Sequence, residues 1–588
     1  MSLQFIFGNS GSGKSHYLYQ QIVEESIRHP EKNYLVLVPE QFTMQTQKDL
    51  CMAHPRGGIM NIDVLSFGRL AHRVFEETGK ERQPILDDEG KNLVLRKIAG
   101  NYEDELTVLK GNLKKQGYIS EVKSVISEFT QYGIDFEQLD SFMEGLNSES
   151  YLYYKLKDIR KVYEGFEDYL RDKYITKEEL LDVLSQNVAE AKMLKDSVIA
   201  MDGFTGFTPV QNRLIGELLK VCDKIMLTVE IDRREDPFVY KHPYQLFALS
   251  KQMVTSLTEV AQEVKVEIDE PVWLCKNPPY RFKENPEMAF LEEELFRYSR
   301  RKYSGEKMQS ISLHEVHTPQ EEAQYVAEEI RRLVREEGYR YREIAVIASD
   351  LNTYADSLEK ACERYEIPVF MDHKKSILLN SFVEYLRSLL VMVEQNYTYE
   401  SVFRYLRTGL CGFTRDEVDR LENYCLALDL KGFKKWDQVW VRKTPMTKKE
   451  ELEELNQLRV RFVEKLTPLH TVLKKRRKTV KEITLAVYEY LVQEKIQEQL
   501  AELEQKFQEE GELALAKEYA QIYRIVLELF DKFVELLGEE EIPLKEYCEL
   551  LDAGLEEAKV GVIPPSLDQV VIGDVERTRI KNIRALFF

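Results

Sequence analysis

The sequence predicts an α/β protein with two parallel-sheet domains, each interrupted by a large helical insertion. Three observations lead to this fold class. The chain opens with an apolar strand, a glycine-rich loop and a helical pattern. Short apolar runs then alternate with helical patterns in two separate parts of the chain, which is typical of parallel sheets. Between these parts, apolar residues recur at helical spacing over long stretches.

Length and composition limit the class of protein. A single hydrophobic core stops growing at roughly 250–300 residues, so a chain of 588 residues predicts several domains. Hydrophobic residues are 43% and charged residues 31%, a balance typical of an ordered, helix-rich protein. The sequence has no apolar run of about 18 residues and no signal-peptide pattern. We therefore expect a cytoplasmic protein without membrane association.

Cysteine and histidine residues give no sign of a metal site. The seven cysteines are scattered without metal-ligand spacing, which fits a reducing compartment. His314 and His317 are three residues apart, in and directly after a segment, 311–316, that we predict to be a strand. Residues at that spacing on a strand point to opposite faces, so we interpret this pair as structural.

The charge balance is acidic, with a formal net charge of −20. This argues against a protein that is basic over its whole surface, but local clusters of Lys and Arg can still bind nucleic acid. The two densest basic runs are 474–478 and 300–302. Each is interpreted either as a phosphate-binding patch or, more commonly, as a solvated face.

The first strand runs directly into a phosphate-binding motif. Residues 3–7 are apolar, and the next eight match G-x-x-x-x-G-K-[ST] completely: Gly8, Asn9, Ser10, Gly11, Ser12, Gly13, Lys14 and Ser15. A helical pattern follows as far as about Ile27, so strand, loop and helix stand in the order that the motif requires. Glycines allow consecutive N–H groups to point at phosphates, and the start of the helix adds a positive dipole. A chance Gly/Ser turn before a helix is the weaker interpretation.

The loop predicts a nucleotide site with magnesium. Lys14 is expected to reach the β- and γ-phosphates, and the Ser15 hydroxyl to bind Mg²⁺. A second magnesium ligand must follow a neighbouring strand, and Asp202, after the apolar run 197–201, fits best. The next residue is Gly203, where many P-loop motors have a Glu that orients the attacking water. We therefore expect slow or absent hydrolysis; a plain turn or cap role for Asp202 is the alternative.

The remaining elements follow from periodicity. The segment 85–195 is helical, with one apolar face at Val122, Val125, Ile126 and Phe129. The sheet resumes at 197–202 and 225–231. A second α/β unit is predicted to contain a strand at 311–316, a helix at 319–336, a strand at 343–348, a helix at 351–365 and a short strand near Val369. Helices return from about 395 to 560, and strands at 569–572 and at the apolar end of the chain.

Three further segments carry a family resemblance. They are Pro39-Glu40-Gln41-Phe42-Thr43, Leu65-Ser66-Phe67-Gly68-Arg69 and Asp202-Gly203-Phe204-Thr205-Gly206-Phe207-Thr208-Pro209. Together with the P-loop, they resemble the first motor domain of UvrD-like superfamily 1 helicases. In detail they resemble the AddB (RexB-like) family, the B subunits of bacterial ATP-dependent helicase/deoxyribonucleases.

The resemblance implies two P-loop NTPase (RecA-like) domains. The first motor-like domain would comprise residues 1–84 and 196–305, with 85–195 as its helical insertion. The second would comprise 306–394 and 561–588, incomplete at its C-terminus, with 395–560 as its insertion. ATP and Mg²⁺ are the implied cofactors, bound by the P-loop and Asp202.

The resemblance also implies partners and a biological role. The partners are DNA, as single strands and duplex ends, and an AddA-like helicase/nuclease subunit. The DNA-binding candidates follow the second and third strands: Gln41, Phe42, Thr43, Ser66 and Phe67. The role is double-strand break repair and recombination, including scanning for a Chi-type sequence.

Departures from the family pattern qualify this role. Besides Gly203, the chain has no room for the upstream Gln motif, and residues 348–350 stand where related motors have a γ-phosphate-binding arginine. These changes fit a degenerate motor that binds DNA while its partner unwinds it. We expect the chain to be the N-terminal half of a longer protein, without the family's nuclease domain and 4Fe-4S cluster. An autonomous superfamily 1 helicase, or a DNA-binding scaffold with a vestigial P-loop, remain the alternatives.

Overall fold

A computed structural model of the chain describes residues 1–79, 84–102, 104–112, 116–171, 173–305, 308–371, 375–443, 449–560, 568–575, 578, 580 and 582–588. Within these residues it contains two larger parallel sheets, two further sheets of two strands each, and two groups of helices. The predicted α/β class, with parallel sheets and large helical insertions, is confirmed. None of the helices in the described part of the chain is long and apolar enough to cross a membrane.

The chain begins with three strand–helix units. They are β1 (Ser2–Gly8), α1 (Lys14–Arg28), β2 (Tyr34–Leu37), α2 (Thr43–Ala53), β3 (Ile62–Leu65) and α3 (Phe67–Thr78). All four residues of β2 are buried, as are most of those in β1. Such nearly continuous apolar strands form because helices cover both faces of a parallel sheet.

The first helical insertion follows. It contains β4 (Ile85–Leu86), α4 (Asp88–Asn101), α5 (Gln116–Tyr132), α6 (Phe136–Glu144), α7 (Tyr151–Leu170) and β5 (Ile175–Thr176). The predicted apolar face of α5 is confirmed, because Val122 and Ile126 are buried and Val125 and Phe129 pack against the same core. β4 and β5 pair in parallel, so the two ends of the insertion lie side by side.

The chain then completes the first sheet. The elements are α8 (Leu180–Asn187), β6 (Val198–Met201), α9 (Pro209–Leu219), β7 (Lys224–Glu230), α10 (Ala248–Glu263), β8 (Glu267–Ile268), β9 (Val272–Trp273) and α11 (Pro286–Glu294). The strand order is β3-β2-β6-β7-β1-β8, β9 also pairs with β1, and every pair is parallel. The carboxyl ends of the strands therefore meet at one edge.

A second α/β unit begins with α12 (Pro319–Glu336), β10 (Ile344–Ala348), α13 (Leu351–Arg364), β11 (Val369–Met371) and β12 (Lys375–Ser376). These bounds confirm four of the five elements predicted there. The predicted strand at 311–316 is wrong, because this segment has no regular structure and lies on the surface, with Leu313 almost fully exposed. Because Leu313 and Val316 are both exposed, the segment lacks the half-buried face that stabilises a strand.

Nine helices and three strands complete the described part of the chain. They are α14 (Ser381–Glu394), α15 (Tyr399–Leu406), α16 (Arg415–Leu428), α17 (Phe433–Asp437), α18 (Lys449–Leu473), α19 (Val480–Gln493), α20 (Ile496–Glu509), α21 (Leu513–Leu537), α22 (Leu544–Glu557), β13 (Lys559–Val560), β14 (Val570–Asp574) and β15 (Ala585–Phe587). The second sheet has the order β11-β14-β10-β15 and is parallel throughout. The predicted returning strand at 569–572 and the strand-like end are confirmed. Residues 561–567, which we assigned to the second α/β unit, lie outside the described residues.

Core packing divides the chain somewhat differently from the predicted domain limits. α14, which the sequence placed with the second α/β unit, packs in the helical core, and α8 packs under the first sheet and not in the insertion. The two insertions share one continuous apolar core that runs from Leu86 to Ala558. The division into domains by residue number stays a prediction.

Candidate functional site

The glycine-rich loop joins the carboxyl end of β1 to α1. Gly11 and Gly13 have φ values of +73° and +93°, a left-handed backbone that residues with side chains rarely adopt. These two glycines curl the loop. α1 then begins at Lys14 without a side-chain cap or an acidic residue in its first turn. Its N-terminal N–H groups are thus available for an anion, which is the arrangement that phosphate loops use.

Lys14 folds back over the loop. Its Nζ donates a hydrogen bond of 2.9 Å to the carbonyl oxygen of Asn9. Burial lowers the pKa of Lys14, while the nearby carboxylates of Glu230 and Asp202 act to raise it. A lysine held in this partly desolvated position binds an anionic ligand more strongly than an exposed lysine would.

Ser15 and Asp202, predicted as the magnesium ligands, are brought together by the fold. β6 ends at Met201, and Asp202 follows it with 2% exposure. The Ser15 hydroxyl donates to Asp202 Oδ1 at 3.0 Å, although the two residues are 187 positions apart. Tyr19 and Thr228 also donate their hydroxyls to this carboxylate, each at 2.7 Å.

The loop and its surroundings fit a magnesium–nucleotide ligand. Asn9 Oδ1 and Ser12 Oγ are buried without a hydrogen-bond partner, which is costly unless a ligand satisfies them. A serine hydroxyl and a carboxylate are the protein ligands that P-loop magnesium sites use beside phosphate oxygens. No group of three or more His, Cys, Asp or Glu side chains suited to a metal was found among the described residues. A P-loop magnesium site needs no such group.

Gly203 lies exposed directly after Asp202, so no acidic side chain follows the strand there. The sequence interpretation missed an acid at the end of the strand that pairs with β1. Glu230 ends β7, pairs in register with Gly8, and raises the pKa of Lys14 more than Asp202 does. Its position after a strand was a usable signal, but only the fold shows that β7 is the neighbour of β1.

A second acid that the sequence did not indicate contacts the loop directly. Glu292, in α11, accepts a hydrogen bond of 3.0 Å from Asn9 Nδ2. This contact joins residues 283 positions apart and has no local sequence signal.

The five DNA-binding candidates lie at the same sheet edge as the P-loop. β2 and β3 are parallel neighbours, so the segments that follow them lie side by side. Three strand spacings separate β2 from β1 and four separate β3 from β1, which places these segments about 14–19 Å from the loop. Nucleotide and DNA candidates therefore share one edge without overlapping.

These candidates differ in how accessible they are. Gln41 is exposed and Phe42 half-buried, whereas Thr43, Ser66 and Phe67 are buried. Ser66 caps α3 by accepting a hydrogen bond from the backbone N–H of Arg69. The geometry thus gives Ser66 a structural role and leaves Gln41 and Phe42 the more accessible of the five.

Two half-buried aromatic residues were missed as candidates. Phe204 and Phe207 follow β6 and pack against Phe67, with ring centroids 5.5 and 6.3 Å from it. They are 5.1 Å from each other. The sequence signal was available, because they follow a strand as Phe42 and Phe67 do. Aromatic faces at this edge can stack unpaired bases.

The basic runs are partly neutralised by neighbouring acids. Lys475 and Arg477 contact Glu482 and Glu541, while the Lys478 amine is buried and donates to the carbonyl of Lys475. In the smaller run, Arg301 pairs with two carboxylates of α11. Neither run forms a free cationic surface along its whole length.

Comparisons with known proteins agree with this architecture. Residues 5–292 match the family described as "ADDB, N-terminal", and residues 284–571 match "UvrD-like helicase C-terminal domain". Three similar proteins are each named as the B subunit of an ATP-dependent helicase/deoxyribonuclease. They come from Lachnoclostridium phytofermentans (43% identical), Clostridium novyi (34%) and Acetivibrio thermocellus (33%). Each alignment covers 100% of this chain and 51–52% of the relative, so the chain spans about half the length of the curated relatives it matches.

Proposed function

We propose that this chain, which belongs to the AddB family, forms the helicase-like, nucleotide- and DNA-binding part of a longer protein of that family. The whole protein would be the B subunit of an ATP-dependent helicase/deoxyribonuclease that acts in the cytoplasm in double-strand break repair and recombination. Its proposed partners are DNA, as single strands and duplex ends, and an AddA-like helicase/nuclease chain. Scanning of a Chi-type sequence belongs to the same proposal.

The observation that carries the proposal is the hydrogen bond between Ser15 and Asp202. It joins the end of the P-loop to the acid that follows a different strand of the same sheet. The two magnesium ligands that the sequence predicts separately therefore lie within one candidate site.

Different residues of the chain would bind the phosphates and the magnesium ion at this site. Lys14 and the N–H groups of the loop would bind the phosphates, and Ser15 and Asp202 would hold Mg²⁺. Bound Mg²⁺–ATP supplies the free energy of phosphoanhydride hydrolysis. Gly203 offers no side chain to orient water, so we propose that hydrolysis by this chain is slow.

Titration of the purified 588-residue chain with mant-ATP and Mg²⁺ tests the nucleotide site. We expect saturable, magnesium-dependent binding that Lys14→Ala weakens by about tenfold or more, because a charged hydrogen-bond donor to phosphate is lost. Lys48→Ala, at an exposed lysine of α2, is the matched control and should leave the Kd unchanged. Binding that does not saturate, or that is indifferent to Lys14→Ala, would favour a scaffold with a vestigial P-loop.

Turnover separates the proposal from an autonomous helicase. ATP hydrolysis is measured with and without single-stranded DNA, in parallel with the Lys14→Ala variant. The proposal expects little Lys14-dependent turnover and little stimulation by DNA. Strong stimulation that Lys14→Ala abolishes would instead identify this chain as a complete motor in which another acid replaces the missing glutamate.

A further inference from the structure

The P-loop is covered by a segment of the same chain, residues 272–294, which we call the cover segment. It contains β9, a turn of 3-10 helix at Tyr280–Phe282, and α11. The N–H of Leu274 donates to the carbonyl of Phe7 at 2.8 Å, and that of Arg281 donates to the carbonyl of Gly11 at 3.0 Å. The cover segment is therefore hydrogen-bonded both to β1 and to the loop itself.

The fit between the cover segment and the loop is close. A Cβ atom at Gly11 would lie only 2.8 Å from Arg281 Cβ and 3.3 Å from the ring of Phe282. No side chain larger than hydrogen is therefore compatible with this contact. The loop is packed against the cover segment and is not open on this side.

Glu292 is the acidic group that the cover segment presents to the loop. Its carboxylate accepts a hydrogen bond of 3.0 Å from Asn9 Nδ2, within the loop. Phosphate-binding loops bind anions through their N–H donors. A carboxylate of the chain thus lies directly against the loop that would bind phosphate.

The electrostatic surroundings make this carboxylate displaceable. Burial raises the pKa of Glu292, its hydrogen bond from Asn9 opposes this, and the neighbouring carboxylates of Asp232 and Glu230 raise the pKa further. An anion surrounded by other acids depends on the loop donor for its stability. A phosphate that makes the same hydrogen bond and also binds Lys14 and Mg²⁺ can outcompete it.

α11 is fixed to the protein on its other side. Arg234 donates to the carbonyl of Glu293 at 2.8 Å, and Arg301 contacts the carboxylates of Glu293 and Glu294. Arg234 also pairs with Asp232, directly beyond β7. These contacts hold Glu292 beside the loop, and none of them uses its own carboxylate.

We propose that Glu292 is an internal competitor for nucleotide phosphate, and that nucleotide binding requires its carboxylate to leave Asn9. The inference rests on the proposed nucleotide site and adds a device that regulates it. Glu292 lowers the affinity of the resting chain for nucleotide. Any event that draws α11 away from the loop raises that affinity.

Mant-ATP titration of the 588-residue chain with Mg²⁺ tests this proposal through the variant Glu292→Gln. The amide keeps the shape and one acceptor oxygen but removes the charge. We expect the Kd to fall by roughly five- to tenfold, the difference between a charged and a neutral competing hydrogen bond. Glu284→Gln is the matched control, since Glu284 is an exposed residue of the same cover segment that is not among the contacts holding α11; its Kd should stay within about twofold of wild type. A thermal melt of each variant confirms that it is folded.

Hydrogen exchange supplies a second measurement on the unmodified chain. Adding ATP and Mg²⁺ should protect peptides that contain residues 8–15 and should deprotect those that contain 286–294. Unchanged or increased protection of 286–294 would show that Glu292 is not displaced and would overturn the proposal.

The outcomes separate this inference from the proposed function. If wild type binds mant-ATP and Glu292→Gln binds equally well or more weakly, competition by Glu292 is wrong while the nucleotide site stands. If only Glu292→Gln binds, competition is confirmed in its strongest form. If neither binds in a manner that depends on Lys14, the nucleotide site and the inference both fail.

Discussion

Glu167, in α7, has a carboxyl group in an unfavourable environment. Burial and the nearby carboxylate of Glu179 raise its pKa from 4.5 to about 7. Between these two values the folded protein holds a proton that the unfolded chain releases. The free energy of unfolding therefore falls as pH rises from about 4.5 through 7, and the penalty is complete above 7.

The variant Glu167→Gln removes this penalty. We expect it to raise the free energy of unfolding by about 1 to 2 kcal/mol at pH 8. This gain is smaller than the whole pKa shift of Glu167 would give, because the side chain is partly exposed and solvent screens its charge. The gain should shrink as the pH approaches 5. Urea denaturation at pH 5, 6, 7 and 8 measures it, with Glu164→Gln, an exposed position of α7, as the control. A gain that does not vary with pH would contradict a titrating Glu167.

The sequence could predict those residues of the candidate site that are marked by their neighbours along the chain, but not those that reach the site only through tertiary packing. The P-loop is contiguous, and Asp202 follows a recognisable strand, so the sequence alone identifies both. Phe204 and Phe207 follow a strand as the chosen candidates do, but only the fold shows that they are half-buried, because exposure is a tertiary property. Glu292 could not be found, because its contact with Asn9 depends on how a distant helix packs.

Helices and strands show the same limit. Apolar runs predicted β1, β2, β6 and β7 because buried parallel strands leave a continuous signal. The segment 311–316 has a strand pattern but lies exposed on the surface, so periodicity alone gave a wrong strand. No element was predicted at 381–394, and the burial of α14 in the helical core depends on partners more than a hundred residues away.

α7 also anchors a neighbouring loop through Asp158. This carboxylate is 3% exposed and accepts hydrogen bonds from the backbone N–H groups of Thr107, Val108 and Leu109 at 2.7–3.0 Å. Three donors that would otherwise be buried without a partner are thereby satisfied by one side chain.

Asp158→Asn is expected to lower the free energy of unfolding by about 2 to 3 kcal/mol, because charge-assisted bonds become neutral and the amide NH₂ faces other donors. Residues 104–112 should lose protection from hydrogen exchange before the rest of the insertion does. Asp168→Asn makes the same change at a more accessible position of α7 and should have little effect. Equal stability of the two variants would show that Asp158 does not hold the loop.

In the described part of the molecule the two helical insertions form one structural unit. Lys532 of α21 bridges Asp87 and Glu89 at the start of α4, and Arg96 and Lys97 of α4 contact Glu549 and Glu540. Burial alone would lower the pKa of Lys532, but its hydrogen bonds to Asp87 and Glu89 outweigh burial and raise it. The shared apolar core and these ion pairs couple segments separated by more than 400 residues.

The distribution of charge over the whole chain makes a prediction about the proposed binding of DNA. With a net charge of −20 and its basic runs partly paired, the protein should neutralise only a few phosphates. Affinity for single-stranded DNA should then depend weakly on salt, with a slope of log K against log[salt] of about −1 to −3. Most of the binding free energy would come from stacking on the aromatic faces at the sheet edge.

Phe207→Leu tests this directly, because leucine keeps the apolar volume but lacks the aromatic face. We expect affinity for a fluorescein-labelled oligo(dT) to fall by at least about fivefold at every salt concentration between 50 and 200 mM, with the salt slope unchanged. Phe142→Leu, at an exposed phenylalanine of α6, should leave affinity unaltered. Stacking adds the same free energy at each salt concentration, whereas release of counterions does not. A loss that appears only at low salt, or equal affinity of the two variants, would therefore place the DNA path away from this sheet edge.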